Sequence, residues 1–184
     1  GYRPADKAKF IVNGKEVEFS GEPEYSYSFP LTENTTVSLE TVQNMYKASA
    51  SAENGTVAIK VGDTAVDGNK AENIPGGTTV SFTARAKRGY RLSGWKINGS
   101  GSEETGDVLT VSAIGSDIAV KALFTEDAAS YTAKAAVTPS DRGGMNYTLY
   151  DIYGDIVKED AAVPAEGITV YNGEKILFKA VPDK

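Results

Sequence analysis

The chain matches itself at a fixed offset, and that periodicity limits its fold more than any other feature of the sequence. Phe10-Ile11-Val12-Asn13-Gly14 resembles Trp95-Lys96-Ile97-Asn98-Gly99, an offset of 95 − 10 = 85 residues. Tyr46-Lys47-Ala48-Ser49-Ala50 resembles Tyr131-Thr132-Ala133-Lys134-Ala135, and 131 − 46 is again 85. A third pair, Val80-Ser81-Phe82-Thr83-Ala84 and Ile176-Leu177-Phe178-Lys179-Ala180, is spaced by 178 − 82 = 96. The later copy therefore carries about 96 − 85 = 11 extra residues, which we place around Asp155 to Glu166 because repeats absorb insertions in loops. A chain of 184 residues holds about two such units.

Each strong segment alternates with period two. Val57, Ile59 and Val61 alternate with Ala58 and Lys60, and Val80, Phe82 and Ala84 with Ser81, Thr83 and Arg85. Ile118, Val120, Ala122 and Phe124 do the same, as do Val37 and Leu39. This pattern predicts half-buried antiparallel strands with one face on a core and one in water. Asn-Gly pairs at Asn13-Gly14, Asn54-Gly55, Asn98-Gly99 and Asn172-Gly173, with Asp67-Gly68, supply residues that tolerate the positive φ of tight hairpins. Between Leu92 and Trp95 the apolar phase slips by one residue at Ser93-Gly94, which predicts a β-bulge that re-aims Trp95 into the core. Tyr131 to Val137 is expected to be a strand because it aligns with Tyr46 to Ala52. The expected fold is all-β: tandem small antiparallel modules, sandwich- or grasp-like, with Asn-Gly hairpins and helix limited to a turn or two.

The middle segment carries several motifs in order: Asn54-Gly55-Thr56-Val57, Pro75-Gly76-Gly77-Thr78-Thr79-Val80-Ser81-Phe82-Thr83-Ala84, Gly89-Tyr90-Arg91-Leu92-Ser93-Gly94-Trp95, and Ile118-Ala119-Val120-Lys121-Ala122-Leu123-Phe124. In this order they resemble the divergent internalin B-type repeat, or bacterial repeat, of exported bacterial proteins. Phe10 stands where that pattern has Trp, Ala86 where it has Pro, and Ala165-Glu166-Gly167 precedes a lengthened turn. The resemblance implies an extracellular, cell-surface or secreted location and a non-catalytic role. Two frames fit. Residues 1–88 and 89–184 can be two modules in a permuted frame, since Gly1-Tyr2-Arg3 matches Gly89-Tyr90-Arg91. Alternatively 46–130 is one full repeat flanked by two half-repeats, and half-repeats with open strand edges must pair with something.

Composition narrows the chemistry. The chain contains neither Cys nor His, so thiol chemistry, disulfides and the usual neutral-pH base are missing. Absence of Cys is compatible with a Gram-positive exterior. The net charge of −6 offers no basic footprint for nucleic acid, and no apolar run is long enough to span a membrane. No signal peptide is visible, and a chain opening on Gly1 reads as a stretch of a longer protein. No G-x-S-x-G motif surrounds a Ser. The acidic loops at 62–68 and 102–107 lack the spaced ligands of a calcium loop, and Glu103-Glu104 sits in a polar loop where nothing would desolvate it. No catalytic residue, metal site or cofactor is therefore expected. A Lys–Asn isopeptide link would need a buried Lys, Asn and acid.

Trp95 reads as a core anchor rather than a sugar platform. The one candidate contact surface is Tyr-rich. Taken as a strand, 146–153 places Tyr147, Leu149 and Tyr153 on one face and Tyr150 and Ile152 on the other. Two functions follow: a spacer or stalk held in a row of repeats, or an adhesin or carbohydrate-binding module that meets carbohydrate or a host or cell-surface protein through Tyr147, Tyr150 and Tyr153. An accessory domain beside a hydrolase is a third reading. Cross-strand Tyr pairing explains the same tyrosines without a ligand.

Overall fold

The computed structural model describes residues 2–4, 10–17, 28–39, 41–127, 129–137 and 143–182. Among these residues all regular structure is β and there is no helix. The N-terminal part holds β1 (Tyr2–Pro4), β2 (Phe10–Val12), β3 (Lys15–Val17), β4 (Val37–Leu39) and β5 (Thr41–Gln43). The middle copy runs through β6 (Met45–Ala52), β7 (Gly55–Val61), β8 (Thr64–Val66), β9 (Lys70–Pro75), β10 (Val80–Ala86), β11 (Tyr90–Ile97), β12 (Ser100–Gly101), β13 (Val108–Val111) and β14 (Ile118–Glu126). The C-terminal part adds β15 (Ser130–Ala133), β16 (Gly143–Tyr150), β17 (Ile156–Ala162), β18 (Ile168–Tyr171) and β19 (Lys175–Pro182).

The middle copy is a two-layer sandwich. One sheet has the order β13-β10-β7-β8 and the other β12-β11-β14-β6-β9. The inward residues of the alternating strands meet between them: Ile59, Val80, Phe82, Ala84 and Leu109 from the first, Ala48, Ile74, Trp95, Ile118, Val120 and Ala122 from the second. One pairing departs from the antiparallel expectation. The first and last strands of the copy, β6 and β14, lie side by side and parallel, from Ala48 opposite Ile118 to Ala52 opposite Ala122.

The slip in the apolar pattern is a bulge. The register of β11 against β14 shifts between Leu92 and Gly94, and Gly94 has a φ of 150°. Trp95 thereby turns inward and is 1% exposed. Its indole N–H donates to the Gly106 carbonyl at 2.9 Å. The loop that presents this carbonyl is shaped by Glu104, whose Oε1 accepts from the N–H groups of Thr105 and Gly106.

The Asn-Gly pairs have two different uses. Asn13-Gly14 and Asn98-Gly99, with both residues at positive φ, close the two-residue turns β2–β3 and β11–β12. Asn54-Gly55 and Asn172-Gly173 instead carry the chain from one sheet to another, from β6 to β7 and from β18 to β19. A Cβ on Gly55 would lie 2.5 Å from the Phe124 ring and 2.6 Å from the Arg85 carbonyl, so this corner is closed to any larger residue.

The offset seen in sequence is a register in space. Phe10 faces Leu39 as Trp95 faces Ala122, and 122 − 39 = 83 relates the second strands of the two pairs. Tyr46 faces Ile74 and Tyr131 faces Val170. Phe82 faces Ile59 and Phe178 faces Tyr147. The N-terminal strands are thus counterparts of β11, β12 and β14, and β15–β19 are counterparts of β6–β10. Most of the extra residues enter the hairpin of β16 and β17, where β17 is seven residues long and its counterpart β8 three. Burial is uneven: of the C-terminal part only Leu149 and Ile168 are buried among the described residues.

Candidate functional site at the joint between copies

The lengthened hairpin returns to the middle copy. After Tyr150 the chain turns, because Asp151 Oδ1 accepts from the N–H groups of both Tyr153 (2.9 Å) and Asp155 (2.8 Å). An Asp bonding its own downstream backbone is a standard local turn device. The turn ends β16, so the strand alternation does not reach Tyr153. Tyr147 and Tyr150 remain on β16, half-buried, facing Phe178 and Lys175 across β19. Tyr153 is also half-buried, and its hydroxyl accepts from the Ala86 N–H at 2.7 Å. The Arg85 guanidinium lies 5.0 Å from the centre of the Tyr153 ring and 2.6 Å from Asp155 Oδ2. The three tyrosines are therefore not gathered into one flat row: two sit in a sheet and one sits in the joint.

A second contact lies beside the first. Arg88 holds Glu174 through two hydrogen bonds, Nε to Oε1 at 2.7 Å and Nη2 to Oε2 at 3.0 Å. The fork geometry of guanidinium suits this two-pronged grip and makes it specific to Arg. Arg88 Nη2 also donates to the Thr169 carbonyl, and its guanidinium stands 4.9 Å from the centre of the Tyr171 ring. Glu174 accepts a further bond from the Tyr171 N–H at 2.9 Å. The Glu174 side chain is 2% exposed, so these donors stand where water would otherwise bond its carboxylate oxygens. Gly89, at a φ of 83°, leaves the room Tyr171 needs: a Cβ there would come within 3.2 Å of the ring. The Asn172 N–H donates to the Ala129 carbonyl beside it.

This arrangement positions the lengthened hairpin and fastens it to the middle copy. Sequence reading singled out Tyr153 of the joint but missed Arg85, Arg88, Tyr171 and Glu174. A signal was present in Arg85 and Arg88, two fixed cations spaced by three just before Gly89-Tyr90 in a chain of net charge −6. Elsewhere, no group of three metal-ligating side chains is found among the described residues. No Lys is buried among them either, so an isopeptide link has no site there.

These features define a class: a two-layer all-β unit, the middle copy, with side-chain contacts fixing the following part of the repeated chain to it. Residues 46–128, the middle copy, match the model of the family described as the Divergent InlB B-repeat domain. The match spans β6 to β14 and stops at the joint. No curated protein and no solved structure matches the chain.

Proposed function

We propose that the chain is a non-catalytic spacer or stalk segment of a bacterial cell-surface or secreted protein, working outside the cell. The observation that carries this reading is the joint. A spacer must resist bending between its units, and relative motion is the default for neighbouring domains unless their interface restrains it. Here a two-pronged ion pair, a hydroxyl on a backbone N–H and two guanidinium–ring contacts span the junction. Absence of His and Cys supports the non-enzymatic part of the reading. The chain has no Cys, so spin labels can be set at Lys70→Cys on β9 and Lys158→Cys on β17, both exposed. Pulsed dipolar measurement should give one narrow distance distribution. Adding Arg88→Ala and Tyr153→Phe should broaden it. A distribution that is already broad without those changes defeats the spacer reading.

A second reading, an adhesin or carbohydrate-binding module, is favoured by one feature. The lengthened hairpin exposes Ile152, Ile156 and Val157 next to Tyr150 and Tyr153, and apolar side chains gathered at a surface are where partners dock. A glycan array probed with the wild type and Tyr150→Ala tests it: binding lost in the variant would support this surface, and no binding to any glycan would remove the carbohydrate version.

A further inference from the structure

The joint encloses space as well as contacts. Two adjoining hollows share Ala86, Lys87, Asp151 and Tyr153 in their linings. One, of about 480 Å³, opens over Asn54-Gly55-Thr56 at the corner between β6 and β7. The other, of about 230 Å³, is the more enclosed. The middle copy contributes Tyr90 and Arg91 to it, and the C-terminal part Tyr171 and Asn172.

The polar groups around the enclosed hollow divide into those already paired and those still open. Arg88 is held by Glu174, and Arg85 at the mouth by Asp155. Lys87 and Arg91 have no carboxylate partner among the described residues. Asp127 uses Oδ1 to accept the Ala129 N–H, and Asp151 uses Oδ1 to accept those of Tyr153 and Asp155. The Oδ2 atoms of both accept nothing from the described residues, and the Asn172 side-chain amide makes no hydrogen bond with them either. Two open cations therefore stand with two open carboxylates. A cationic ligand would meet Lys87 and Arg91, and an anionic one Asp127 and Asp151. An apolar ligand would leave all of these groups dry and unpaired. Hydroxyl groups suit them, because each hydroxyl both donates and accepts. The half-buried rings of Tyr90, Tyr153 and Tyr171 add apolar surface beside the polar groups. A sugar ring has the same two characters, C–H groups on its faces and hydroxyls along its edge.

We propose that the enclosed hollow binds one ring of a neutral saccharide, with further sugar units leading past Tyr153 into the open hollow. The sugar hydroxyls donate to Asp127 and Asp151 and accept from Arg91 and the Asn172 amide. Because both parts of the chain supply contacts, a bound saccharide also ties the joint. The proposal goes beyond the spacer reading and does not rest on it. It differs from the adhesin reading in place, since neither Tyr147 nor Tyr150 lines either hollow.

The test begins with the labelled chain on an array of neutral and acidic glycans, which should retain neutral ones. The neutral glycan retained most strongly is then titrated into isotope-labelled chain and followed by nuclear magnetic resonance. Amide shifts should concentrate in residues 86–91 and 171–174. Asp127→Asn and Asn172→Ala should each weaken binding about tenfold, the loss expected for one hydrogen bond, and Tyr150→Ala should leave it unchanged. Both joint substitutions keep the local backbone contacts, since an amide oxygen still accepts the Ala129 N–H and the residue-172 N–H still meets the Ala129 carbonyl. Their melting without glycan should match the wild type, which separates a lost contact from a lost fold. Retention of acidic glycans alone overturns the proposal, as does an affinity that neither joint substitution lowers. Shifts centred on Tyr147 and Tyr150 overturn it too, but leave the adhesin reading standing. No retention of any glycan removes this site and the carbohydrate version of that reading together, and leaves the spacer reading untouched.

Discussion

At the scale of single residues, Trp95 binds the middle copy together. A Gly and one extra residue bend β11 so that the indole fills the space between the two sheets, and its N–H finds the only acceptor it needs in the Gly106 carbonyl. Trp95→Ala should destabilise the copy by roughly 3–5 kcal/mol, the usual cost of truncating a buried large aromatic. Trp95→Phe should cost less, keeping most of the volume but leaving the carbonyl without its donor. Chemical denaturation followed by circular dichroism checks both. This residue was legible in sequence because the apolar phase breaks at Ser93-Gly94, and only a bulge restores an inward side chain at Trp95. Tyr153 was legible only in part. Alternation placed it on a strand face, but Asp151 captures the following backbone and ends the strand, so a local hydrogen bond overrides the period-two pattern. Arg88 and Glu174 are 86 residues apart, and no local pattern announces a partnership at that distance.

At the scale of elements, the strands that follow the alternation most closely are those with neighbours on both sides. Strand β6 runs its full eight residues with β14 along it, whereas β15 stops at Ala133, short of the Val137 expected from the alignment of Tyr131 to Val137 with Tyr46 to Ala52. Residue pattern sets which face is apolar; a partner strand is needed to hold the backbone extended. Val37 and Leu39 alternate as expected and are held extended by β2, yet remain exposed. Hairpins depend on a smaller device. Asn98 takes a φ of 48° in its turn and ties that turn to β14 through Ala119 and Asp117. Asn98→Ala loses the bonds and adds backbone strain, and should cost roughly 1–3 kcal/mol. Asn98→Gly loses the bonds but accepts the φ, and should cost less. If denaturation midpoints place the two substitutions in the reverse order, the turn is held by something other than its backbone geometry.

At the scale of the whole molecule, the repeat was readable from the chain and the joint was not. Self-similarity reports what the copies have in common, but the joint is built from what they do not share: the lengthened hairpin with Tyr153 and Asp155, and Glu174 standing where the middle copy has Thr78 (174 − 78 = 96). The parallel pairing of β6 with β14 has a mechanical consequence. Tension applied along the chain draws β6 toward one end of the molecule and β14 toward the other. Because the strands point the same way, that load slides one past the other and strains their evenly spaced hydrogen bonds together rather than one after another. Under force spectroscopy, the middle copy stretched through its own ends should rupture at high force. Attached instead through Ser49→Cys and Ala119→Cys, which are register partners at one end of the pair, the same strands are pulled apart sideways and should part at lower force. A unit with this strand arrangement is strongest along the line in which its own chain would pull it.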